Sequence, residues 1–175
     1  MLELPLTRRD WARAAAIAFD RKVAKDDWQN ETQAKYRDGL LHTATIGALG
    51  EIAFSSLTGL PVDESIYEFG DKYDFKFGDL RIAVKTREYY KKDIDMILFP
   101  SEPKNADIFV LFQIKRRCNR INLLGSIRGS EIIENYRPEF KPYLQGRKIS
   151  VPAYVMKDPR QLVRMIKDKQ CQITK

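Results

Sequence analysis

Tyr73-Asp74-Phe75-Lys76-Phe77-Gly78-Asp79-Leu80-Arg81-Ile82-Ala83-Val84-Lys85-Thr86 is the stretch that decides the fold, and it reads as a β-hairpin. Gly78-Asp79 separates two alternating runs, and a two-residue loop with Gly first is the type II′ signature that sets register. Phe77 then faces Leu80, Phe75 faces Ile82 and Tyr73 faces Val84. Side chains alternate along a strand, so these residues form a core face, and Lys72, Asp74, Lys76, Arg81, Ala83 and Lys85 share a charged one. Asp74 falls opposite Ala83 with Lys85 one diagonal step away, so a carboxylate and a lysine converge on one spot.

Around this hairpin lie 175 residues, enough for one domain that buries roughly two thirds of its unfolded surface. Cys118 and Cys171 have neither pairing nor metal-ligand spacing, and with His42 as the single histidine a zinc site is not expected. Free cysteines fit a reducing, intracellular compartment, either the cytoplasm or, for a phage protein, the host cytoplasm. No apolar run approaches the roughly 20 residues of a membrane span, and the N-terminus lacks a signal-peptide core, so a soluble protein with no membrane partner is expected. The net charge of +7, from 31 Lys and Arg against 24 Asp and Glu, favours a polyanionic partner such as nucleic acid.

Upstream, Thr7 reads as an N-cap with Asp10 three residues on, and Trp11, Ala14, Ala15, Ala18 and Phe19 share one face of a helix near 8–25. Its basic residues (Arg8, Arg9, Arg13, Arg21, Lys22 and Lys25) read as solvated surface, with a phosphate-facing flank as the alternative. The polar stretch 26–40, ending in Asp38-Gly39, reads as a connection or a short extra helix. From Leu40 to Leu57 the pattern is helical, with Ile46, Leu49, Ala53, Phe54 and Leu57 on one stripe, Gly59 placed to stop it, and Glu51 riding on it. Gly47 and Gly50 each cost about 1 kcal/mol relative to Ala there, which points to a close approach of helix to sheet beside Glu51.

Residues 64–69 read as a strand before the hairpin, and Ile94 to Leu98 as a strand or short helix interrupted by Pro100 and Pro103. Asp107 to Ile114 is the apolar run of a buried central strand, and Ile121 to Ile127 the strand after it. Ser130 caps a short helix, Ile149 to Val155 makes a last strand, and a helix follows from about Asp158 to Lys169.

A helix with Glu, a strand, a hairpin with Asp on its first strand and Lys at the end of its second, then a crossover and another strand: over about 45–127 this order resembles the PD-(D/E)XK nuclease superfamily. The residues that carry the likeness are Gly47-Ala48-Leu49-Gly50-Glu51, Asp74 and Ala83-Val84-Lys85-Thr86, which are similar to the Holliday-junction-resolvase-like and phage branches. The resemblance implies an α/β fold, a restriction-endonuclease-like αβββαβ core with a mixed central sheet flanked by helices. An N-terminal helical extension (1–40) and a C-terminal strand and helix (149–169) would flank it. It also implies Mg²⁺-dependent hydrolysis of DNA phosphodiester bonds, with Mn²⁺ as a substitute ion and Glu51, Asp74 and Lys85 as catalytic residues. Glu51, Asp74 and the Val84 backbone carbonyl would be metal ligands. A homodimer would suit the cutting of two strands.

Ala83 stands where the family carries an acid two residues before the lysine. Three readings follow: an acid replaced by Ala to give an inactive form, an acid role that has migrated to Glu51 or less suitably to Asp71 or Asp79, or a pseudo-nuclease that binds nucleic acid without cutting it. Candidate nucleic-acid contacts are Lys72, Lys76, Arg81, Arg87, Lys91, Lys92, Arg116, Arg117 and Arg120, with Tyr89 and Tyr90 interleaved as stacking residues.

Overall fold

The computed structural model describes residues 2–23, 34–65, 73–88, 94–115, 119–141 and 146–173. The hairpin forms in the expected register: β2 (Phe75–Phe77) and β3 (Leu80–Glu88) pair antiparallel, with Phe77 opposite Leu80 and Phe75 opposite Ile82. Gly78 takes φ +58°, the left-handed value that the first loop position demands and that side chains with a Cβ resist. The ladder ends at Phe75. Val84 does not pair with Tyr73 as expected; its amide goes to the Asp74 carboxylate, and Tyr73 packs with the apolar cluster on the other face of the sheet.

Two further strands complete the core. β5 (Ile108–Ile114) lies parallel to β3, from Ile82 opposite Ile108 to Glu88 opposite Ile114, and β6 (Arg120–Arg128) returns antiparallel to β5. β1 (Leu2–Pro5), which the sequence did not announce, adds antiparallel to β6. The result is a mixed five-stranded sheet in the order β1-β6-β5-β3-β2. Parallel β3 and β5 require a crossover, and its described part holds β4 (Asp95–Leu98) and a 3₁₀ turn (Glu102–Lys104) where the αβββαβ plan has an α-helix. Pro100 and Pro103 explain this, because each removes an amide donor and clashes inside a longer helix.

One face of the sheet is covered by helices. α1 (Arg8–Val23) starts at the predicted cap, where the Asp10 amide donates to Thr7 Oγ1 at 3.2 Å and the Thr7 amide to Asp10 Oδ2 at 2.8 Å. α2 (Ala34–Thr58) begins six residues before the predicted Leu40, so Asp38-Gly39 lies inside the helix and not in a connection. A single Gly costs only about 1 kcal/mol, which a helix anchored by Ile46, Leu49, Phe54 and Leu57 absorbs. These residues join Ile82, Val84, Val110 and Phe112 of the sheet and Leu162 and Ile166 of α4 (Pro159–Ile173) in one core.

The other face was expected to be charged and is also covered. β4, β8 (Gly146–Pro152) and β7 (Glu139–Lys141) form a second sheet in the order β4-β8-β7. Met96, Leu98, Ile149 and Val151 from it enclose Ala83, Phe109, Leu111 and Ile127, together with Ile132 of α3 (Gly129–Asn135). The predicted last strand starts earlier than Ile149, and Ala153–Val155 forms a 3₁₀ turn instead. Of the strand expected at 64–69, residues 66–69 lie outside the described residues. Among the described residues, no helix is long and apolar enough to cross a membrane.

Candidate active site

The site begins where α2 touches β3. A Cβ on Gly50 would lie 1.8 Å from Thr86 Oγ1 and 3.2 Å from Val84 Cγ1, so only a hydrogen fits. Gly47 meets nothing within 4 Å, so one of the two helix glycines serves the approach. The next residue, Glu51, is thereby set beside the hairpin with 6 % of its surface exposed. Three residues on, the Phe54 ring meets Phe75 at 5.0 Å between centroids, tying the helix that carries Glu51 to the strand that follows Asp74.

Asp74 turns its carboxylate into the space left by the interrupted ladder. Oδ2 accepts the Val84 amide at 2.5 Å, and Oδ1 takes no hydrogen bond among the described residues. Burial, and after it repulsion from Glu51, push the Asp74 carboxyl up to about 7, against the opposing pull of the Val84 amide, Lys85 and Arg21. This mutual influence places Glu51, Asp74, Lys85 and Arg21 in one electrostatic neighbourhood.

Two ion-pair partners of these residues were not legible as such. Arg21, read as solvated surface, reaches in from α1 and donates to both Glu51 oxygens at 2.9 Å, and to the Asp63 carbonyl at 2.7 Å. This fork-to-fork pairing satisfies both oxygens of a buried glutamate and fixes its orientation. Glu102, on the crossover turn, accepts the Lys85 ammonium on Oε1 and the Phe99 amide on Oε2, each at 2.5 Å. Their sequence separations, 30 residues for Arg21 to Glu51 and 17 for Lys85 to Glu102, hide both pairs from local pattern reading.

Ala83 is 5 % exposed and sits in the apolar layer between the two sheets. Val84 points the other way, into the helix-covered core. Among the described residues no three His, Cys, Asp or Glu side chains gather as a metal cluster. Glu51 and Asp74 are nevertheless two carboxylates whose repulsion a cation would relieve, with Asp74 Oδ1 open. Mg²⁺ is often held by one or two carboxylates with water completing its shell, so this donor set fits a water-rich cation site and not a closed cage.

The basic candidates divide. Arg81 is locked to Asp107, Nη2 to Oδ1 at 2.9 Å and Nε to Oδ2 at 3.1 Å, and Arg120 is paired with Glu3 of β1. Lys76 is exposed and Arg87 half-buried. Lys72, Tyr89, Tyr90, Lys91, Lys92, Arg116 and Arg117 lie outside the described residues, as does Asp71. His42, in mid-helix, meets Glu88 at 2.7 Å. Compared with known protein families and with curated proteins, the sequence matches none.

Proposed function

We propose that this chain is a metal-dependent nuclease built on a restriction-endonuclease-like core and acting on phosphodiester bonds in DNA. The observation that carries the reading is the convergence of Glu51, Asp74 and Lys85, from a helix and the two arms of a hairpin, on one partly desolvated spot. The parallel β3–β5 crossover and the net charge of +7 support it.

Asp74, through its open oxygen, and Glu51 would hold the cation. Bound there, Mg²⁺ would activate a water and offset charge on the phosphate. Lys85 supplies a fixed ammonium for the developing negative charge, and its bond to Glu102 aims that ammonium. Arg21 holds the Glu51 carboxylate in one orientation through its two hydrogen bonds.

A second reading, a nucleic-acid-binding protein that does not cut, is favoured by the apolar enclosure of Ala83 and by the capture of Glu51 and Lys85 in ion pairs. Incubation with supercoiled plasmid, a four-way junction and a single-stranded circle, in Mg²⁺ or Mn²⁺ and in EDTA, separates the two. Products that need the cation and vanish in Lys85→Ala support the nuclease. Salt-sensitive binding without products supports the second reading, and neither binding nor products removes both.

A further inference from the structure

The crossover that aims Lys85 also carries a feature the site does not use. Leu98 of β4 lies opposite Ile149 of β8, so the next pair outward brings Phe99 beside Lys148. Lys148 is 8 % exposed, makes no hydrogen bond or ion pair among the described residues, and sets Nζ 3.0 Å from the Phe99 ring centroid. Glu139, its cross-strand neighbour, gives its carboxylate to Lys141 instead, at 2.9 Å. Phe99 itself is 58 % exposed, so the ring keeps a side that the ammonium does not cover.

Without a carboxylate partner among the described residues, the Lys148 ammonium stays available to an anion while the exposed aromatic ring holds it in place. The pair has the two halves of a nucleotide contact: a π face for a base and a fixed cation for its phosphate. We propose that Phe99 and Lys148 bind an unpaired nucleotide of a DNA strand at the mouth of the candidate site. The base must be unpaired, because in a duplex both its faces are already stacked. Placement follows from Glu102, whose two oxygens join the Phe99 amide to the Lys85 ammonium. The proposal rests on the nuclease reading for its position next to the chemistry, and it narrows the substrate to DNA with a single-stranded part.

Binding is measured on the full chain in EDTA, so that cutting plays no part, using a short fluorescein-labelled oligothymidylate and a duplex of equal length. The chain should prefer the oligothymidylate. Phe99→Ala should weaken that binding about tenfold while changing duplex binding less than about twofold. Phe99→Trp should keep the affinity, with its added fluorescence quenched on binding. Lys148→Gln, checked for a native thermal melt, should lower the slope of log affinity against log salt by about 0.7. Equal binding of strand and duplex, or a Phe99→Ala variant unchanged on the single strand, overturns the platform. Phe99-dependent binding by a chain that cuts nothing in Mg²⁺ or Mn²⁺ keeps the platform and removes the nuclease reading; cutting indifferent to Phe99→Ala does the reverse.

Discussion

Asp74→Asn should make the protein more stable at about pH 8 and less capable of its function. The folded carboxyl stands at about 7 against an ordinary 3.8. An acid raised on folding carries no penalty below about pH 4, where it is neutral in both states. The penalty grows as pH rises from about 4 through about 7, because the unfolded chain ionises first, and it is constant above that. About 3 pH units at about 1.36 kcal/mol each sets a ceiling of about 4 kcal/mol. Asp74 is half-buried, so water and relaxation reduce this to about 1–2 kcal/mol.

Asn keeps an oxygen for the Val84 amide and removes both the desolvated charge and its repulsion with Glu51. Urea midpoints for the two proteins should therefore differ at about pH 8, by the equivalent of about 3–6 °C in melting temperature, and converge towards about pH 4. A variant less stable at every pH, or a difference that does not change with pH, would show that the Asp74 carboxylate is not under the strain described.

Arg21→Ala leaves the Glu51 carboxylate buried without its fork and should cost about 3 kcal/mol by chemical denaturation, with a smaller loss in Arg21→Lys. Gly50→Ala should destabilise by about 1–3 kcal/mol and be partly rescued by Thr86→Ala, whereas Gly47→Ala should be neutral or stabilising by up to about 1 kcal/mol. Ala83→Glu forces a carboxylate into the layer between Met96 and Leu111 and should lower stability in EDTA by about 1–3 kcal/mol. Part of that loss should return with Mn²⁺ if the new acid reaches the cation, which a thermal-melt comparison with and without the ion reads out.

The hairpin was legible because its determinants are local: a Gly at the one position that needs positive φ, and alternation that fixes the pairing from Phe75 to Leu80. The sequence order placed Glu51, Asp74 and Lys85 on adjoining elements, and in the structure Asp74 feels the charges of the other two. What escaped were features decided by distant partners. β1, four residues long, exists through its pairing with β6, and β7 is shorter still; for β4, read as a strand or a short helix, it was the pairing with β8 that no local pattern encodes. The same holds for the second core: Ala83 reads as one residue on a charged face until Met96, Leu98, Ile149 and Val151 arrive to bury it. For Glu102, the one local signal was Ser101-Glu102-Pro103, a proline-marked turn start, and nothing in it points to Lys85.

The most direct test of the Glu51–Asp74–Lys85 site is a Mn²⁺ titration followed by electron paramagnetic resonance on the full chain, Asp74→Asn and Lys85→Ala. One saturable site that Asp74→Asn abolishes and Lys85→Ala leaves intact or tightens is the predicted result, since removing a neighbouring cation can only favour the ion. No Mn²⁺ bound at millimolar concentration, or binding that Asp74→Asn leaves unchanged, would contradict the account.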